Sequence, residues 1–184
     1  MDYKETMQRD SLRLAGFLTD RVLVGPKRLS IKLTNRCNYA CFYCGYHSKL
    51  INIKQPRKVF NIDFDVFKKI IDDAASLKTD EISLLGSGEP FLHAHIYEMI
   101  DYIKRKGLRL SILTNGTFDK KKIRSIRKVD YFIINFNSFN EMVFRKTQHG
   151  TAKNHQAVLE NLEILSELKR IKGSPDTRLL FLIH

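Results

Sequence analysis

The apolar positions of this chain switch repeatedly between a period of two and a period near 3.6, the spacings of strands and of helices. Leu29, Ile31 and Leu33 alternate with Ser30, Lys32 and Thr34, which predicts a first strand. Further strands are predicted at Glu81 to Leu85, Leu108 to Leu113, Tyr131 to Phe136 and Leu179 to Ile183. The fourth is apolar on both faces, as a buried parallel strand should be. Helical stripes lie between them. Val66, Phe67, Ile70, Ile71 and Ala74 follow a capping Asp63, and Ile96, Met99, Ile100 and Ile103 stop at Gly107. A basic helix is predicted around 119–128. A long one near 153–172 carries Val158, Leu162, Leu165 and Leu168 and ends at Gly173. A helix over 5–23, with Leu14, Leu18 and Val22 four apart on one face, comes first and ends at Gly25-Pro26. Residues 45–62 hold Gly45, Pro56 and scattered basic groups and read as a long loop.

Strands alternating with helices imply βα units and a parallel sheet. Five such units fit an open doubly wound sheet or part of a barrel, and the pattern alone does not choose. Residues 1–25 read as a helical extension and 26–184 as one core domain. In either architecture the functional loops lie beyond the carboxyl ends of the strands. The cysteine loop after the first strand, Gly86–Pro90, Thr114–Gly116 and Asn135–Ser138 all follow strands, so they are expected to meet on one rim.

Composition narrows the function. A chain of 184 residues suits one domain with a real core, and no run approaches the roughly 20 apolar residues of a membrane span. A cytoplasmic protein without membrane contact is expected. The net charge of +12 would suit a nucleic-acid partner, but it is spread over both halves. Its densest run, Lys120 to Lys128, reads as a solvated helix face. The three cysteines say more, because Cys37, Cys41 and Cys44 lie within eight residues and no other cysteine occurs. An odd, clustered set in a cytosolic protein argues for a metal site rather than a disulfide framework. Three thiolates on one loop suit zinc or an iron–sulfur cluster. A cubane with three protein ligands leaves one iron open. A closed Cys3His zinc site is the alternative, since His47 follows Cys44 by three residues.

Cys37-Asn38-Tyr39-Ala40-Cys41-Phe42-Tyr43-Cys44 resembles the C-x3-C-x-aromatic-C signature of the radical S-adenosylmethionine (SAM) enzymes. Ser87-Gly88-Glu89-Pro90 is similar to that family's G-G-E-P motif, with Ser87 in the place of the first glycine. Thr114-Asn115-Gly116 extends the likeness, which runs from about residue 25 onward. The resemblance implies a partial (β/α)6 TIM-like barrel, with about five units present and a short helix before it. It implies a [4Fe–4S] cluster on Cys37, Cys41 and Cys44, with SAM chelating the open iron. One electron then splits SAM to a 5′-deoxyadenosyl radical that takes a hydrogen atom from the substrate.

By the same resemblance, Tyr43 would lie near the adenine, Gly88 and Glu89 would meet the SAM amino group, and Asn115 and Asn135 would face ribose or carboxylate. His93 and His95 read as helix-start residues rather than ligands. An external one-electron donor such as flavodoxin or ferredoxin is implied. The implied substrate is a peptide or protein, from a likeness to the peptide-modifying and molybdenum-cofactor branches. RNA modification is the alternative that the charge suggests. The family's barrel usually has six strands and five are counted, so a core cut short is expected. Such a core would be a poor catalyst alone, with a completing subunit or self-association through the 179–183 edge.

Overall fold

Five strands follow one another across a single parallel sheet in the computed structural model, which describes residues 3–50, 58–173 and 175–181. They are β1 (Arg28–Lys32), β2 (Glu81–Leu85), β3 (Arg109–Thr114), β4 (Tyr131–Asn135) and β5 (Asp176–Leu180). The spatial order β1-β2-β3-β4-β5 equals the chain order. Each crossover therefore steps the same way, and right-handed crossovers then put every helix on one face. A doubly wound sheet needs a reversal of strand order, and none occurs here. The sheet is a barrel segment.

Register sorts the side chains. Ile82↔Leu110 and Leu84↔Ile112 are paired across β2 and β3, and Ile112↔Phe132 across β3 and β4. These residues are fully buried in one core with Phe67 and Ile71 of α2 (Phe64–Ser76) and Met99, Ile100 and Ile103 of α3 (Ile96–Arg105). The other face is mostly polar, with Glu81, Ser83, Ser111, Tyr131, Asn135 and Arg178 at alternate positions, and it is the barrel's inner face.

Several elements differ from the sequence reading. The first helix, α1 (Tyr3–Thr19), ends at Asp20, and its Leu14 and Leu18 are exposed, as is Val22 just beyond it. Arg9 and Arg13 face the body instead. Both pair with the buried Asp80 carboxylate, Arg13 at 3.0 Å, because a buried charge needs a counter-charge. The basic helix is shorter than expected, a 3-10 turn at Lys120–Lys122 followed by α4 (Ile123–Ile126). An unforeseen helix, α5 (Glu141–Gln148), precedes α6 (Ala152–Lys172). Strand β5 lies about three residues earlier than predicted, since Asp176↔Tyr131 and Leu180↔Asn135 fix its register. Residues 182–183 of the expected strand lie outside the described residues. So do residues 51–57 of the expected loop, whose flanks are tied to β1's extension by Thr34↔Asn61.

Candidate functional site

The carboxyl ends of β1 to β4 converge as expected, and hydrogen bonds between their loops show how. The Glu89 amide donates to the Arg36 carbonyl at 2.8 Å, joining the β2 loop to the cysteine loop. Gly88 lets these backbones close, because a Cβ there would stand 2.3 Å from the Arg36 carbonyl oxygen. The Asn115 amide group donates to Asn38 Oδ1 at 2.7 Å, joining the β3 loop to the same cysteine loop. The Tyr43 hydroxyl donates to Asn135 Oδ1 at 3.4 Å, at the end of β4. Behind the rim, the Phe42 amide donates to the Thr147 carbonyl of α5 at 3.1 Å. Asn161 of α6 donates to the Gly116 and Phe118 carbonyls at 2.8 and 3.0 Å, which holds the β3 loop from outside.

These loops enclose a cleft of about 190 Å³. Its wall contains all eight residues singled out from the sequence: Cys37, Cys41, Cys44, Tyr43, Gly88, Glu89, Asn115 and Asn135. It also contains residues the sequence reading missed. Leu113 and Leu180 point inward because they share the strand face of Asn135, a period-two signal that was available. Asn38 lies outside this wall but supports it, accepting from the Asn115 side chain. His93 and His95 stand apart from this cleft. His93 Nε2 donates to the Ile62 carbonyl at 3.0 Å and its Nδ1 accepts from the His95 amide, while His95 stacks on Phe64. His95 is the N-cap residue of α3, and His93 precedes it by two residues.

Glu89 is the buried acid of the rim. Its carboxylate accepts from the Thr114 hydroxyl and the Asn115 amide, both at 2.7 Å, and from the Phe91 amide at 3.1 Å. Burial still pushes its carboxyl up to about 7, against those three donors. These bonds tie the side chain to the β3 loop, and the residue also lines the cleft. The Asn115 side chain is likewise occupied by Asn38 and Thr117. Burial also raises the hydroxyl of Tyr43, which stays protonated.

The donor set at the cysteines fits a sulfur-bound group. All three are free, half-buried thiols facing one cleft. Amides of Tyr46 and His47 point at Cys44 Sγ at 3.4 and 3.3 Å, and that of Tyr39 at Cys37 Sγ at 3.5 Å. Such donors stabilise charge on sulfur. Burial pushes the Cys37 thiol up to about 11 and raises that of Cys41, so a metal must displace those protons on binding. The fourth ligand that a closed Cys3His site would need, His47, is engaged elsewhere. His47 Nε2 donates to the Ser87 carbonyl at 2.7 Å.

The sequence model of the radical SAM superfamily matches residues 31–181. This chain belongs to that superfamily. Radical SAM enzymes work with a [4Fe–4S] cluster and SAM. The GTP 3′,8-cyclase of Lactiplantibacillus plantarum is 29% identical over 170 residues, covering 85% of this chain and 49% of the cyclase. The subtilosin biosynthesis protein AlbA of Bacillus subtilis is 29% identical over 103 residues, covering 56% of this chain and 21% of AlbA. Among solved structures, Streptococcus suis SuiB bound to SAM has the same fold, with a TM-score of 0.70 at 16% identity over 96% of this chain and 38% of SuiB. The chain spans about half or less of the length of these radical SAM proteins.

Proposed function

We propose that Cys37, Cys41 and Cys44 hold a [4Fe–4S] cluster, that SAM binds in the adjoining cleft, and that the substrate is a peptide or protein. One observation carries the reading: four strand ends far apart in sequence bring the three thiols, Tyr43, Gly88, Asn115 and Asn135 to the wall of one cleft. When bound, cluster and SAM supply a 5′-deoxyadenosyl radical able to take a hydrogen atom from the substrate. The chain's own work is to bind, orient and exclude water. Gly88 brings backbone to the cleft wall, Tyr43 and Asn135 form a hydrogen-bonded side wall, and Leu113 and Leu180 supply apolar surface. Glu89 holds Thr114 and Asn115 in place and, lining the cleft, faces the SAM amino group together with Gly88.

AlbA's role in making a bacteriocin and the SuiB structure with its precursor peptide support the peptide reading. An external one-electron donor, flavodoxin or ferredoxin, and a cytoplasmic location belong to the same reading. No helix among the described residues is long and apolar enough to cross a membrane.

Anaerobic reconstitution tests the proposal. The protein should take up about four irons and four sulfides, and with dithionite it should release 5′-deoxyadenosine from SAM. Cys41→Ala should lose the visible absorption and the bound iron, and His47→Ala should keep both. Full iron in Cys41→Ala would overturn the cluster assignment. Mass spectrometry after incubation with candidate peptides tests the substrate class, and a change confined to RNA would replace it.

A further inference from the structure

Between Cys37 and Cys41 the loop carries a buried hydroxyl. Tyr39 is 3% exposed, and its hydroxyl oxygen has no hydrogen-bond partner among the described residues. Buried hydroxyls nearly always find a partner, and one left without it costs stability. The polar groups of the rim around it are paired. Glu89 has three donors, Asn115 has Asn38 and Thr117, and the loop's other tyrosine, Tyr43, donates to Asn135. Packing does not call for the hydroxyl either. The Tyr39 ring stands edge-on against Phe144 with 5.6 Å between centroids, and a Cβ on Gly150 would come 3.4 Å from the ring's edge. A phenylalanine would make the same contacts. The C-x3-C signature leaves position 39 open, so the hydroxyl is a feature of this chain. Tyr39 lines the cleft together with the three cysteines. Burial raises its hydroxyl, and the charges of Glu89, Cys41 and Cys37 add to the rise. The group therefore stays protonated, and its charged surroundings are the cleft's own residues.

We propose that the Tyr39 hydroxyl donates its hydrogen bond to a sulfur of the bound cluster. The inference rests on the cluster reading above. Neutral sulfur is a weak acceptor, but a thiolate or sulfide carries charge, and a charged acceptor strengthens the bond. Position favours the cluster over SAM. Tyr39 stands two residues from each of two cysteines, on the loop that holds them, and its own amide already points at Cys37 Sγ at 3.5 Å. A donor to sulfur stabilises the reduced, more negative cluster more than the oxidised one. The hydroxyl is thus a cost in cluster-free protein and a gain in loaded protein, where it raises the midpoint potential and slows loss of iron.

Tyr39→Phe tests this, because it removes one oxygen and keeps the ring. In cluster-free protein the variant should melt about 2–4 °C above wild type, since an unpaired buried group is gone. In cluster-loaded protein without SAM the order should reverse in two readouts. Iron should pass to a chelator severalfold faster from the variant than from wild type. A redox titration followed by electron paramagnetic resonance should give the variant a more negative midpoint potential. A merely structural role would lower the melting temperature and leave the potential where it was. A lower melting temperature in cluster-free Tyr39→Phe would overturn the proposal, because the hydroxyl would then have its partner within the protein. An unchanged potential and unchanged iron loss in loaded protein would also overturn it. Differences that arise only when SAM is added would place the acceptor on SAM and sink the assignment to sulfur. If wild-type protein takes up no iron, the cluster reading fails and this proposal falls with it. Normal uptake by wild type, with no difference in the loaded variant, removes this proposal alone.

Discussion

The two ends of the barrel segment handle their polar groups in opposite ways. At the carboxyl end Glu89, Thr114 and Asn115 are buried, and each bond joins one loop to another. At the amino end Arg28, Glu81 and Arg109 stand opposite one another on β1, β2 and β3 as a charged ladder. There the arginine side chains are about 60% exposed, and Arg178 lies over the Tyr131 ring beside them. Water screens the ladder, so its pairs contribute little. It cannot reach the rim bonds, so losing one strands buried donors. The fold keeps its costly polar contacts at the end where the proposed cofactor site lies.

The largest effect expected from this contrast is at Glu89. Glu89→Ala removes one acceptor from three buried donors, at about 1 kcal/mol or more for each stranded group. A total near 3 kcal/mol should lower the melting temperature by about 10 °C in a chain of this size. Calorimetry of the cluster-free protein would measure it, and a shift of about 1 °C would remove the distinction between the two ends. The same residue gives a pH signature. Its folded pKa of about 7 is raised above the ordinary 4.5, so the fold favours the protonated form. Its stabilising contribution is full below about 4.5 and is lost as pH rises through 7. Relative to Glu89→Gln, the cluster-free wild type should lose melting temperature steadily from pH 5 to 7.5. A rising difference would mean that the three donors outweigh burial.

A smaller loss, about 2 kcal/mol, is expected for Gly88→Ala, whose methyl group must push the Arg36 and Thr34 carbonyls aside. Because those carbonyls belong to the run leading into the cysteine loop, the variant should also bind iron more weakly after reconstitution. Normal iron uptake with the full stability loss would show that rim packing and cluster geometry are separable.

Much of this was legible in the sequence because strand periodicity marks both the core and the loops that follow each strand. Leu29, Ile31 and Leu33 located β1, and the four loop ends then met where parallel topology requires. The misses have physical causes. Helix α5 escaped notice because Met142 and Val143 are exposed and only Phe144 and Gln148 are buried, which breaks an apolar stripe over eight residues. Strand β5 was placed late because Asp176, Thr177 and Arg178 are polar, and an edge strand does not need them otherwise. The face of α1 was misjudged because its docking is ionic, through Arg9, Arg13 and Asp80. Glu89 was found as a site residue, but no sequence pattern tells that its carboxylate turns inward to β3.

The smallest effect should be at the charged ladder, and it is the sharper half of the comparison. Glu81 accepts from the Ser111 hydroxyl at 2.7 Å and pairs with Arg28 at 2.8 Å and with Arg109 at 3.8 Å. Glu81→Gln keeps an acceptor for Ser111 and removes only the charge. Two exposed arginines are then left facing each other, a mild repulsion in water. The expected cost is below about 1 kcal/mol, or some 2–3 °C. Near 1 M salt the Debye length is about 3 Å, so wild type and variant should melt together. For Glu89→Ala the same salt should leave the difference standing, because stranded hydrogen bonds are not screened. Thermal melts of both variants at low and high salt therefore decide the matter. A salt-insensitive loss at Glu81 comparable to that at Glu89 would mean that the barrel's two ends are built alike.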